Sequence, residues 1–182
     1  MATYLLKKSY QRKDLKKVSF KDLWDSHGVF TTMWIFGKPV KILFFKEHFK
    51  NLIKSLKTYK LNKPNIEKDI FKLIKINLNK HKKYNHLLRV AVTSNLISIS
   101  LRKKPKLKSK LILKLINFKR TRPEFKNLKY KKILSYLSKI ETSSCDLGLC
   151  VNGKVLESAT SNILFVNKGK VYSPINKFYR GT

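Results

Sequence analysis

Residues 29–45 read VFTTMWIFGKPVKILFF. Aromatic and β-branched residues crowd both halves, and Gly37-Lys38-Pro39 interrupts the middle, a pattern that predicts a two-stranded hairpin. From Lys46 the period changes. Phe49, Leu52, Ile53 and Leu56 recur at helical spacing with lysines between them. Pro64 and Asn65 break the pattern, and a second amphipathic helix is predicted on Ile66, Ile70, Phe71, Ile74 and Leu78. A strand pair running directly into two amphipathic helices predicts an α+β fold.

The remaining chain agrees with that class. Residues 87–101 (LLRVAVTSNLISISL) read as two strands around Ser94-Asn95. A polar break from Arg102 to Pro105 precedes an apolar stretch, Leu111 to Phe118. The polar segment 119–126 (KRTRPEFK) contains Pro123 and is the expected inter-domain linker. A helix follows on Ile133, Leu134, Leu137 and Ile140, then short strands from Leu147 to Tyr172, with Asn152-Gly153 and Lys168-Gly169 at hairpin turns. No internal repeat is visible. The expected division is a small α+β domain over 1–118, a linker over 119–125 and the start of a larger domain over 126–182.

The 182 residues carry 42 Lys+Arg against 10 Asp+Glu, a net charge of +32. With 42% hydrophobic residues the chain is too apolar for a basic disordered tail, and it is long enough to bury a core. The charge points first to nucleic acid, through counterion release from phosphates. Its kind points away: 36 lysines stand against 6 arginines, and base-reading surfaces favour the arginine fork. Lys, Asn and Ile make up 64 of the 182 residues, all written with A/T-rich codons, and the lysines run along the whole chain instead of forming a patch. A biased genome accounts for such a composition, and nucleic acid is not the expected partner. Cys145 and Cys150 are too few for a disulfide scaffold and lack zinc-site spacing, and His27, His48, His81 and His86 show no metal-ligand spacing. No metal is expected. No apolar run approaches a membrane span, and Met1 to Tyr10 is no signal peptide, so a soluble cytoplasmic protein is expected.

Four motifs go further. Val155 to Val166 reads VLESATSNILFV between an Asn-Gly and a Lys-Gly turn. Upstream stand Pro123-Glu124-Phe125-Lys126-Asn127-Leu128-Lys129-Tyr130 and, earlier, Gly28-Val29-Phe30-Thr31-Thr32 followed by Glu47-His48-Phe49-Lys50-Asn51-Leu52. Near the end come Val171-Tyr172-Ser173-Pro174 and Gly181-Thr182. In this order and spacing they resemble the class IV pyridoxal-phosphate aminotransferases (fold type IV), which include branched-chain and D-amino-acid aminotransferases and aminodeoxychorismate lyase.

The resemblance implies roles for single residues. Lys126 falls where the family's K-x-L-N motif carries the Schiff-base lysine, whose primary amine holds pyridoxal 5'-phosphate and moves protons at the substrate carbon. Glu157 heads E-x-x-x-S-N, where the family's glutamate faces the pyridine nitrogen and keeps it protonated by opposite charge. Thr32 ends Phe30-Thr31-Thr32. The lyases carry Phe-Thr-Thr here, where transaminases carry a glutamate-containing triplet, and that second threonine serves the reaction. Tyr130, Asn162, Asn51 and Thr182 fall at further cofactor-binding positions. Three departures stand out: Asn51 replaces the phosphate-binding arginine of H-x-x-R-L, Trp34 replaces an arginine, and Lys129 replaces the asparagine of K-x-L-N. The family's G-I-T-R phosphate element would begin where Arg180-Gly181-Thr182 end the sequence, so the rest of a larger domain is expected to follow.

The resemblance therefore implies a homodimeric enzyme acting on a small, acidic, amine-bearing substrate. The leading expectation is a lyase turning 4-amino-4-deoxychorismate into 4-aminobenzoate and pyruvate. A transaminase of the same fold, a basic nucleic-acid-binding protein and an inactive remnant are the alternatives.

Overall fold

The computed structural model describes residues 3–173. Thr182, and with it the expected phosphate element, lies outside them. The chain forms two compact units and enters the first one twice. The described residues up to Lys104 belong to the first unit, and so do Lys126–Leu128; Pro105–Phe125 and the described residues after Leu128 form the second.

In the first unit, β1 (Tyr4–Gln11) and β2 (Lys17–Val18) precede the hairpin strands β3 (Gly28–Gly37) and β4 (Lys41–Ile42). Helices α1 (Phe45–Thr58) and α2 (Ile66–Asn77) follow, then β5 (Tyr84–Thr93) and β6 (Leu96–Lys103). The six strands make one antiparallel sheet in the order β2-β1-β6-β5-β3-β4. The two faces of this sheet differ because side chains alternate along each strand. Val29, Met33 and Ile35 of β3 join Leu88, Val90 and Val92 of β5 in one core with Leu52 and Leu56 of α1 and Ile70 and Leu73 of α2. Each such side chain contributes roughly 1.5–3 kcal/mol by leaving water. The other face carries Phe30, Thr32 and Trp34 from β3, and opposite them Ala91, Arg89 and Leu87.

In the second unit β7 (Ile112–Asn117) pairs in parallel with β8 (Cys145–Val151), which pairs antiparallel with β9 (Lys154–Ser158). Helix α3 (Lys131–Leu137) buries Ile133 with Leu147, Leu149 and Ala159. Gly148 lies under β7: a Cβ there would come within 2.7 Å of the Leu115 side chain. The hairpin β10 (Phe165–Asn167) and β11 (Lys170–Tyr172) completes the described chain. Positive φ at Asn152, Gly153, Lys168 and Gly169 gives both hairpin turns the twist that closely paired strands need.

The division differs from a boundary near residue 120. The stretch 111–118, expected at the end of the small domain, supplies β7 and belongs with β8. Parallel pairing joins strands distant in sequence, and no local pattern marks it.

Candidate active site

Lys126 stands on the sheet of the first unit. Its carbonyl accepts the Phe30 amide at 2.8 Å, the Leu128 amide donates to the Gly28 carbonyl at 2.9 Å, and Asn127 bridges Val29 in antiparallel register. Lys126–Leu128 is thus a three-residue strand on the start of β3, with Asn127 and Leu128 buried. Gly28 makes this possible. A Cβ there would collide with the Val92 carbonyl and come within 2.6 Å of the Leu128 side chain. Register places Lys126 opposite Phe30, so Lys126, Phe30 and Thr32 share one face of the sheet.

The neighbouring threonines diverge. Thr31 is buried on the helix side, where its Oγ1 lies 3.1 Å from Nδ1 of His48 on α1. Burial, reinforced by the positive charge of Lys126, lowers the His48 pKa to about 4. Thr32 lies on the opposite, half-exposed face, directly across from Arg89 of β5. Arg89 is buried, ion-pairs with Asp22, and sits 4.3 Å over the Trp24 ring. Its Nε has no hydrogen-bond partner among the described residues. Trp24 meets Phe30 edge-on at 5.0 Å. The segment bearing Asp22 and Trp24 is held over this face by the Lys21 backbone, whose amide donates to Ser9 and whose carbonyl accepts from Ser98.

Glu157 stands in the second unit. Arg120 grips it with two hydrogen bonds, Nε to Oε1 at 2.8 Å and Nη2 to Oε2 at 2.6 Å, and also donates to the Pro123 carbonyl at 2.7 Å. Both side chains are nearly buried, at 6% and 11% exposure. The guanidinium lies 5.8 Å from the Tyr130 ring centre. Tyr130 donates to the Ala159 carbonyl, and burial pushes its phenol pKa well up despite the opposing charge of Arg120. Asp146 organises the turn after β9: it accepts from the Ser158 hydroxyl and, at 2.8 Å, from the Thr160 hydroxyl. Asn162, just beyond, is exposed.

Lys126 and Thr32 therefore fall in one unit, and Glu157, Tyr130 and Asn162 in the other. Asn51 is half-buried on α1, with exposed Lys50 and Lys54 beside it. Trp34 spans the hairpin and donates from Nε1 to Asn85 at 2.9 Å. Arg89 and Arg120 lie in none of the motifs, although one signal in the sequence marks them. In a chain with only 6 arginines, three of them, Arg12, Arg89 and Arg120, are buried, where a planar fork serves better than a lysine. Among the described residues no group of three or more His, Cys, Asp or Glu side chains is placed to hold a metal, and no helix is long and apolar enough to cross a membrane.

A family model, that of the class IV amino-transferases, matches residues 28–182. No curated protein matches the chain. Among solved structures, a branched-chain aminotransferase from Thermoproteus uzoniensis with norvaline is similar at a TM-score of 0.72 and 15% identity, over 96% of this chain and 70% of that one. An aminotransferase from Brucella abortus bound to the cofactor PLP gives 0.68 and 17%, over 100% and 74%. A protein from Legionella pneumophila described as a 4-amino-4-deoxychorismate lyase gives 0.65 and 18%, over 90% and 69%. At such identities the likeness shows the fold, a mixed α and β architecture of fold type IV.

Proposed function

Because the chain belongs to the class IV aminotransferase family, we propose that it uses pyridoxal 5'-phosphate to convert 4-amino-4-deoxychorismate to 4-aminobenzoate and pyruvate. The observation that carries this reading is the pairing of Thr32 with Arg89 on the sheet face shared by Lys126. A hydroxyl and a buried guanidinium side by side suit a substrate that must receive a proton and that bears carboxylates.

Each unit carries donors whose chemistry suits the cofactor. Lys126 offers a primary amine on a backbone pinned at both ends, Glu157 a carboxylate with lone pairs beyond those given to Arg120, and Tyr130 a phenol. At the phosphate the fit rests on Lys50 or Lys54 in place of the arginine that Asn51 replaces, as point charges without a fork. Bound pyridoxal phosphate supplies an electron sink for the carbon next to the substrate amine.

The residues of this chain do the rest. The Lys126 amine holds the cofactor, then takes the proton from the amine-bearing carbon. Glu157 serves the pyridine nitrogen. Thr32 holds or passes the proton needed as pyruvate leaves and the ring aromatises. Arg89 receives a substrate carboxylate, with the half-exposed Asp22 as the group displaced. Trp24 and Phe30 limit water beside them.

The test is direct. The purified protein, supplied with pyridoxal phosphate and 4-amino-4-deoxychorismate, should release 4-aminobenzoate and pyruvate in equal amounts. Lys126→Ala should abolish both. Product formation by Lys126→Ala would sink the assignment of that lysine. Keto-acid-dependent amine transfer without pyruvate release would replace the lyase with a transaminase. A protein that never acquires visible absorbance with pyridoxal phosphate, and instead binds nucleic acid tightly, would remove the enzyme reading and leave the fold.

A further inference from the structure

We infer that Arg120 is a positioning residue: it fixes the plane and direction of the Glu157 carboxylate and so decides how that carboxylate meets the cofactor. The inference rests on the reading that Glu157 serves the pyridine nitrogen.

Three features of the second unit carry it. The first is geometric. The Arg120 contact is a two-point fork, with one nitrogen on each carboxylate oxygen. A single contact leaves a carboxylate free to rotate about its terminal torsion, which is broad in glutamate. A bidentate fork removes that rotation and leaves the remaining lone pairs facing one way. The second is burial. At 6% and 11% side-chain exposure, water is a poor substitute for either partner. A buried charge that loses its partner is costly, so the pair behaves as one object. The third is where Arg120 is itself tied. Its Nη2 also donates to the carbonyl of Pro123, closing the turn of chain that precedes Lys126 in sequence. The same guanidinium therefore anchors the Pro123 turn and aims Glu157 on β9.

A surface ion pair would do none of this. Lys108 and Glu141, also in the second unit, are paired at 3.3 Å with both side chains more than half exposed. Such a contact is worth little and orients little. The scarcity of arginine adds weight. Lysine supplies charge almost everywhere in this chain, and a lysine at 120 would supply charge but no fork.

The experiment uses the full chain and four variants: Arg120→Met, Arg120→Lys, Glu157→Gln and the double Arg120→Met/Glu157→Gln. Three readouts are taken: the melting midpoint without cofactor, the Kd for pyridoxal phosphate from visible absorbance, and the pH dependence of that absorbance. The expected result is that Glu157→Gln and Arg120→Met each weaken binding about ten-fold, and that the double variant is little worse than either single one. Arg120→Lys should fold normally, bind several-fold more weakly and shift the pH dependence of the absorbance. A purely structural Arg120 would lower the melting midpoint and move neither Kd nor the spectrum. Arg120→Lys with wild-type affinity and spectrum overturns the inference, whether or not Arg120→Met folds. Glu157→Gln with wild-type affinity removes the underlying reading of Glu157, a distinct result.

Discussion

At the scale of single residues, neighbouring side chains of one strand meet opposite faces of the sheet. Thr31 and Thr32 are adjacent and alike, yet one is sealed against His48 and the other faces Arg89. Thr32→Val should therefore lower kcat by about a hundred-fold and leave stability within about 1 kcal/mol, as read by turnover and urea denaturation. Asp22→Asn should lower KM for a carboxylate-bearing substrate several-fold, because Arg89 then gives up a weaker partner; an unchanged or raised KM would show that Asp22 does not compete. His48 carries a pH signature. Its folded pKa, near 4, lies below the unfolded value of 6.5, so the unfolded chain binds the proton first. The stability from keeping His48 neutral is fully present above pH 6.5 and is lost as pH falls towards 4, by about 2–3 kcal/mol. Urea midpoints measured between pH 7 and 4.5 should fall in the wild type and fall less in His48→Gln. Lys126 and Glu157 were singled out among the many charged residues by motif register in the sequence. Arg89 and Arg120 were not, because each gains meaning only from a partner in a distant segment: Asp22 for one, Glu157 for the other.

At the scale of elements, the strongly periodic parts were the readable ones. The hairpin about Gly37, both amphipathic helices, the β5–β6 pair and the two Gly-containing turns all lie where pattern places them. Each rests on interactions within about twenty residues. Strand β1 carries no such local signature. Its lysines hide an alternation that becomes visible only when Tyr10 and Ser9 are seen packed on opposite faces beside β6. Strand β7 is legible as apolar chain, but its pairing is not, because its partner β8 lies beyond α3. Gly28→Ala is the sharpest element-scale test. Its methyl would meet the Val92 carbonyl and the Leu128 side chain at once, so β5 and the Lys126–Leu128 strand would both have to give way around β3. A loss of about 1–3 kcal/mol is expected, along with weaker pyridoxal phosphate binding, since Lys126 rides on the displaced strand.

At the scale of the whole molecule, the two units differ in how much apolar surface they bury. The first holds a large continuous core, whereas among the described residues the second fully buries a small apolar cluster, Ile133, Leu147, Leu149 and Ala159. The second also exposes Ile112 and Leu115 at 61% each, Val166 at 72% and Val171 at 65%. Hydrogen exchange should accordingly be slow in β5 and β6 and fast in β10 and β11, since a lone two-stranded hairpin is marginal in water. Uniformly slow exchange across both units would contradict that ordering. The net charge of +32 is borne mostly by dispersed lysine, so any nucleic-acid binding should be indifferent to sequence and collapse between about 50 and 200 mM salt. The return of the chain to β3 at Lys126–Leu128 also bears on how the protein is made. When β3 is synthesised, its partner at the Gly28 end still lies about a hundred residues further along the chain. Closing so long a loop costs roughly 4 kcal/mol of chain entropy. Until it closes, the start of β3 is an open edge inviting mispairing. The lysine proposed for catalysis is thus also the residue whose arrival seals that edge, and a nascent chain halted before it would be sticky as well as inert.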